Sequence, residues 1–273
     1  MSSSGACTRV ELLQGVQFFL HDEVTSTMDV ARDTLKGKSG VTRVDTGEQP
    51  LADLFVVLAK QQNAGRGSRG RSWVGGECNL FMTLVVKQDA LPCPLMHFPL
   101  RVGTLISPHI RSRVLTPDTQ TYLKWPNDIL IGKKKVCGTL VEIDDDRMLV
   151  GIGCNIASAP SVPTSGPDRG RLATCLYAHN EQLSRDKEAY KALASDIAAG
   201  FSEWIASGKG TDSALLCTQD FGWQMDKDST QRIRSGDDAD REVKPLRINP
   251  DGSLYVRMLD TGEEKSLLSE YLF

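Results

Sequence analysis

Residues 65–73 read GRGSRGRSW, Gly65-Arg66-Gly67-Ser68-Arg69-Gly70-Arg71-Ser72-Trp73, and stand between two apolar runs, DLFVVLAKQ (53–61) and NLFMTLVV (79–86). Gly65 to Gly70 matches the G-x-G-x-x-G pattern of a phosphate-binding turn, which alone is a weak signal. In a dinucleotide-binding unit a helix follows the turn at once, and its N-terminus holds the pyrophosphate. Here Ser72-Trp73-Val74-Gly75-Gly76 and then a second strand-like run follow, so a doubly wound dinucleotide fold is set aside. A strand, a Gly loop and a strand also suit a kinase nucleotide loop, but the chain has no H-R-D catalytic loop. Two readings stay open: a solvated loop with incidental arginines, or a loop that orders over a small polyanion. Arginine favours the second, because its planar fork of donors grips phosphate in pairs and stays charged.

The rest of the composition narrows the field. The 273 residues carry a formal net charge of −3, with 40% hydrophobic and 25% charged residues. That is long enough for one large domain with a small one attached. No global basic field exists to draw the molecule onto nucleic acid, so any anion site is local. Seven scattered cysteines form no C-x-x-C pair, and His21, His97, His109 and His179 show no metal-ligand spacing. Reduced thiols in a cytoplasmic protein are expected. No apolar run approaches the roughly 20 residues of a membrane span, and the first residues, MSSSGACTRVELLQG, match neither a signal peptide nor a transit peptide.

Outward from the loop, VQFFL (16–20) reads as the first strand, and Ser26 as the N-cap of a helix over TSTMDVARDTL, with Asp29 three residues on. Residues 36–51 read as a loop. LMHFPLRVGTLISPHIRSRV (95–114) has helical periodicity, trimmed by Pro99 and Pro108. LKWPNDILI (123–131), KVCGTLVEI (135–143) and RMLVGIGCNI (147–156) read as a three-stranded meander. Residues 157–171 read as loop, and 182–205 as a long amphipathic helix. After Gly208, short β-like runs around the turn Asn249-Pro250-Asp251-Gly252 predict a small closing β-barrel.

Lys124-Trp125-Pro126-Asn127-Asp128 puts two polar groups behind a stiff Trp-Pro pair. Lys135 opens a strand otherwise apolar enough to be buried, where it can reach into a cleft. Gly138 within that strand suggests a close approach by a ligand or another chain. Cys137 and Cys154 read as small buried hydrophobes.

STMDVA (26–31), QQNAGRGSRGRSW (61–73), KWPND (124–128), KVCGTLVE (135–142) and GIGCN (151–155) occur together in an order and spacing that resembles the biotin–protein ligases, also called holocarboxylase synthetases. The resemblance spans roughly residues 15–160 and extends to NPDGSLYVRM. It implies an α+β fold: a mixed β-sheet with flanking helices, like the catalytic fold of class II aminoacyl-tRNA synthetases, plus a small C-terminal SH3-like β-barrel. The expected units are a biotin- and ATP-binding catalytic domain over 1–212 and the barrel over 213–273. It also implies ATP-dependent activation of biotin as biotinyl-5′-AMP, then transfer to a lysine of biotin carboxyl carrier domains of carboxylases. No nucleic-acid or membrane partner is expected, since too few residues precede the first strand for a DNA-binding domain.

Residue by residue, the resemblance makes Lys135 and Arg66 catalytic. It gives biotin Ser26, Thr27, Gln62, Gly65, Arg66 and Gly138. It gives the nucleotide Arg66, Arg69, Arg71, Trp73, Asn127, Lys135 and Asn155. Mg²⁺ is implied, held mostly through phosphates, with Asp128 the candidate side-chain ligand. Two positions depart from the family pattern: Ser68 stands where many bacterial members carry arginine, and Met28 where asparagine is common. A lipoate or octanoate ligase of the same fold and a non-catalytic binding module are the alternatives.

Overall fold

The structure, a computed structural model, describes residues 9–37, 51–116, 119–163, 171–183, 186–228, 230–233 and 236–268. Of the loops expected over 36–51 and 157–171, residues 38–50 and 164–170 lie outside the described residues.

Strands β1 (Arg9–Leu13) and β2 (Val16–Val24) form an antiparallel hairpin. Its two turn residues, Gln14 and Gly15, have φ of 47° and 80°, the left-handed pair that matches strand twist. Helix α1 (Thr27–Leu35) then leads toward β3 (Leu54–Gln62), which runs parallel to β2. Ser26 is its N-cap, accepting from the Met28 N–H at 3.3 Å. β4 (Leu80–Lys87) returns antiparallel to β3. Helix α2 (Phe98–Arg111) starts with Pro99 in its first turn, where the missing N–H costs nothing.

The single run LKWPNDILI divides into β5 (Thr121–Lys124) and β6 (Asp128–Ile131), an antiparallel hairpin with Lys124 opposite Asp128. The Trp125–Pro126 peptide bond in its turn is cis. β7 (Lys134–Asp144) and β8 (Arg147–Cys154) complete a meander whose turns use Gly132 and Asp145 at positive φ. The eight strands form one mixed sheet in the order β1-β2-β3-β4-β8-β7-β6-β5.

Period-two alternation assigns its faces. Phe18, Leu20, Val56, Leu58, Met82 and Leu84 join the larger core beneath α2, α3 (Ala189–Ala206) and α4 (Ala214–Gln224). Phe19, Phe55, Val57, Ala59 and Val85 face Met28, Val30 and Ala31 of α1. Burial on both faces explains why the central strands read as continuous apolar runs. α1 covers β3, β4 and β8.

Two expectations about the C-terminal part are corrected. Residues 214–224, expected among short strands, form α4, which buries Cys217, Thr218 and Phe221. The tripeptide Asp220-Phe221-Gly222 inside it is helical, with Asp220 paired to Arg101. The closed SH3-like barrel is not formed. β9 (Gln231–Arg232), β10 (Glu242–Ile248), β11 (Leu254–Met258) and β12 (Glu264–Leu267) make an open antiparallel sheet in the order β12-β11-β10-β9. Closure needs two outer strands long enough to pair with each other, and β9 has two residues. Val243, Ile248, Leu254, Val256, Met258 and Leu267 instead join the large core beside α4.

Arg101 ties these layers together. Its buried guanidinium meets Asp212 through Nε at 2.5 Å and Nη2 at 2.6 Å, and Asp220 through Nη1 at 2.7 Å. Asp212 also accepts from the Trp204 indole at 3.0 Å. Asp212→Ala removes the bidentate partner of a buried charge and should cost on the order of 3 kcal/mol, read from the urea midpoint.

Candidate active site

On the α1 side of the sheet, a cavity of about 1040 Å³ lies across the strand ends from β3 to β5. Its lining includes Ser26, Thr27, Gln62, Arg66, Arg71, Trp73, Lys124, Asn127, Asp128, Lys135, Gly138, Gly153, Asn155 and Arg171. Hence most of the residues chosen from sequence stand around one space.

At the β3 end, Gln62 Oε1 accepts from the Thr27 N–H at 2.8 Å and the Thr27 hydroxyl at 3.2 Å. Thr83 of β4 donates to the Thr27 hydroxyl at 2.9 Å. This end is a neutral, hydrogen-bonding pocket. Gly65 is required by its backbone packing: a Cβ there would stand 2.4 Å from Gln62 Nε2 and 2.6 Å from Trp73 O.

The Gly/Arg loop folds as a small hairpin. Gly67 N–H donates to Arg71 O at 2.7 Å, and Trp73 N–H to Gly65 O at 2.8 Å. Its arginines have protein partners: Arg66 Nη1 lies 2.8 Å from Asp29 Oδ1, and Arg71 Nη2 donates to Ser68 Oγ at 2.8 Å. Ser68, the departure from the family pattern, therefore holds Arg71. The Arg69 side chain lies outside the described residues. The loop's end lays the Trp73 indole on β7 and β8. A Cβ at Gly138 would meet the ring at 3.0 Å, and one at Gly153 at 2.3 Å. The ring also lies 5.2 Å from Lys135 Nζ, a cation over an aromatic face.

At the β5 end the cations gather. Lys135 Nζ is 2.6 Å from Asp128 Oδ1. Lys124, opposite Asp128 in the hairpin, is only 3% exposed. Burial pushes its ammonium down from the ordinary 10.5 to about 8; Asp128 pulls it up, while Arg171, Lys135 and Arg71 push it further down. Burial raises the Asp128 carboxyl, but Lys135, Lys124 and Arg71 outweigh it and hold the group below its ordinary range. Asn127 and Asn155 brace the walls: Asn127 Nδ2 donates to Thr139 O at 2.5 Å, and Asn155 Nδ2 to Thr174 O at 3.1 Å. Among the described residues, no group of three or more His, Cys, Asp or Glu gathers as a metal cage.

Sequence reading missed two cations. Lys124 carried a signal, a lysine inside the apolar run LKW; Arg171, at the end of a polar loop, carried none. Behind the cavity, the Trp125 indole donates to Gly252 O at 3.0 Å, and His97 Nε2–H to Pro250 O at 2.7 Å.

Residues 33–156 match the biotin/lipoate A/B protein ligase family. The biotin–[acetyl-CoA-carboxylase] ligase of Paracoccus denitrificans is 36% identical over 157 residues, 55% of this chain and 62% of that protein. Biotin protein ligase from Leishmania major in complex with biotinyl-5-AMP superposes with a TM-score of 0.60 at 30% identity, covering 92% of this chain and 98% of that one. The ligase from Aquifex aeolicus in complex with biotin and ATP shares the fold, with a TM-score of 0.67 at 23% identity over 94% and 97% of the two chains. The chain belongs to the biotin protein ligase family. Its matches span 39% to 62% of the length of the curated relatives.

Two outcomes test this geometry. Gly153→Ala should drive the Trp73 indole off the strands, increasing acrylamide quenching of tryptophan emission, with no such change in a Trp73→Phe background. Lys124, charged but buried below pH 8, should weaken the fold there by about 3 kcal/mol. Between pH 8 and 10.5 the folded protein has released a proton that the unfolded chain still holds, so stability should rise with pH. Urea midpoints across that window should lose the rise in Lys124→Met.

Proposed function

We propose that the chain is an ATP-dependent biotin–protein ligase, which activates biotin as biotinyl-5′-AMP and transfers it to a lysine of biotin carboxyl carrier domains of carboxylases. One observation carries this: a single cavity has a neutral hydrogen-bonding end by β3 and a cationic end by β5 to β7, on the same face of the sheet. Gln62 on β3 and Lys135 on β7 are three strand positions apart, about 14 Å at the usual spacing of ~4.8 Å. A ligand with a urea head, an apolar chain and a terminal carboxylate fits that order. The Leishmania relative's complex with biotinyl-5-AMP supports it.

In the first step a biotin carboxylate oxygen attacks the α-phosphorus, and the bond to the pyrophosphate oxygen breaks. Two anions must meet, and each like-charge pair at ~4 Å costs roughly 4 kcal/mol at an effective dielectric near 20. Lys135 stands at the cationic end, where the acid's carboxylate would meet the α-phosphate, and offsets that repulsion; its rotating donors suit charge that moves between oxygens. Lys124 and Arg71 add positive field, and Ser26, Thr27 and Gln62 orient the urea head, with Gly65 letting the loop close on Gln62 and Gly138 letting Trp73 and Lys135 lie against β7 beside the ligand. Arg66, Arg69, Trp73, Asn127 and Asn155 complete the adenylate's surroundings. In the second step the carrier's ε-amine attacks the acyl carbon, forms the amide and releases AMP.

Asp128 is the carboxylate at the cationic end, which fits an ion held by one side chain, phosphates and water. Bound Mg²⁺ supplies neutralisation of the phosphates. The same reading places the catalytic unit over 1–212 and the smaller unit over 213–273. It also places the protein in the cytoplasm, acting without nucleic acid or membrane; among the described residues no helix is long and apolar enough to cross one.

The test is exchange of labelled pyrophosphate into ATP with Mg²⁺ and biotin, lipoate or neither. Biotin-dependent exchange is expected, falling at least about a hundredfold in Lys135→Ala. Exchange driven by lipoate, or by neither acid, would overturn the proposal.

A further inference from the structure

Arg171 enters the cationic end from a segment outside the five sequence motifs. The short stretch 171–174 runs beside the start of β7. Lys135 N–H donates to Leu172 O at 2.8 Å, and Thr174 N–H to Lys135 O at 2.9 Å. Asn155 holds the stretch from its other side through Thr174 O. The segment that carries Arg171 is thus locked to the backbone of Lys135, and Arg171 lines the cavity.

Its guanidinium is under-used. Nη1 donates to Lys133 O at 3.2 Å, while Nε is buried with no hydrogen-bond partner. A buried donor left unmade is costly, and an arginine has five of them to place. By contrast, Arg66 is held by Asp29 and Arg71 by Ser68. Arg171 also lies in the same field as Lys124 and Asp128. Across the sheet it stands by β7 and β6, on the side away from the Thr27–Gln62 pocket.

Resting on the ligase reading, we propose that Arg171 is a nucleotide-binding residue of this chain, which grips the phosphate chain of ATP and its departing pyrophosphate. Its donors add to those of Lys124 and Lys135 at the end where the loop has serine at position 68. A planar fork suits a bridging and a terminal oxygen of one polyphosphate.

The experiment is calorimetric titration of ATP, inorganic pyrophosphate and biotin into the full chain, as wild type, Arg171→Ala and Arg171→Lys. Hydrogen bonds to charged groups predict a loss of about 10- to 100-fold in affinity for ATP and pyrophosphate in Arg171→Ala. Biotin affinity should be unchanged, and Arg171→Lys should recover part of the loss. Unchanged ATP and pyrophosphate affinity in Arg171→Ala would overturn the inference. So would a parallel loss of biotin affinity that lysine does not rescue, which marks a structural role. Biotin-dependent exchange in the wild type without dependence on Arg171 sinks this inference alone. Dependence of ATP binding on Arg171 without exchange sinks the ligase reading alone.

Discussion

A buried ammonium facing a carboxylate across a hairpin is the constraint on which the rest of the site depends. Lys124 and Asp128 are cross-strand partners at the mouth of the β5–β6 turn, and Lys135 reaches the same carboxylate from β7. Burial pushes the Lys124 ammonium down and the Asp128 carboxyl up. The fields of Lys135 and Lys124 outweigh burial and hold the Asp128 carboxyl below its ordinary range. The cost is excess positive charge: Lys124, Lys135, Arg71 and Arg171 surround this region with too few carboxylates to balance them. Such a cleft concentrates positive field locally in a protein whose net charge is negative, which favours an anionic ligand there.

The sheet serves as the ruler for that chemistry. Neutral and cationic ends are set apart by strand order, not by flexible loops, so their separation is as rigid as the hydrogen-bonded ladder. Between them, β8 and β7 carry Gly153 and Gly138 facing each other. Two missing side chains make a shelf, and the Trp73 indole occupies it. The Gly/Arg loop is therefore anchored at its far end by an aromatic ring lying on backbone, and its start is anchored where Gly65 meets Gln62. Both anchors depend on glycine for closeness of approach, not for turn geometry.

Much of this was legible in the sequence because it follows from short-range rules. Apolar runs, Gly-Lys and Asp turns and the Ser26 cap produced β2, β3, β4, β7, β8 and α1. What was missed has identifiable causes. β1 is an outer strand with an exposed Leu12, so RVELL showed no buried face. α4 contains Gly222 and a mixed face, and its burial comes from α2 and β10. The closed barrel failed because pattern shows strands but not whether the outermost pair is long enough to join. LKWPNDILI read as one run because the turn inside it lacks glycine. In the site, the motif residues converge, but their partners are long-range. Nothing local in sequence tells that Arg66 answers Asp29, or that Ser68 holds Arg71. Arg171 was invisible for the same reason: its place is set by backbone bonds to Lys135.

The small C-terminal sheet contributes no residue to the cavity lining, which among the described residues ends at Ala173. Its influence is mechanical. The turn Asn249–Ser253 presents two backbone carbonyls, those of Pro250 and Gly252, to His97 and Trp125. A carbonyl only accepts, so His97 must carry its proton on Nε2. Trp125 lies directly between Lys124 and the rest of the KWPND turn, with its ring fully packed in the core. Fixing that indole from behind fixes the chain on either side of it, and with it the Lys124–Asp128 pair. Gly252 has φ +83° and sits against Leu100 and His97, so the turn is itself seated on α2. The cationic end is thus held from the front by ion pairs and from the back by a neutral, salt-insensitive contact. This division ties the backbone that carries Lys124 and Asp128 from behind, independently of the ion pair between Lys135 and Asp128 at the front.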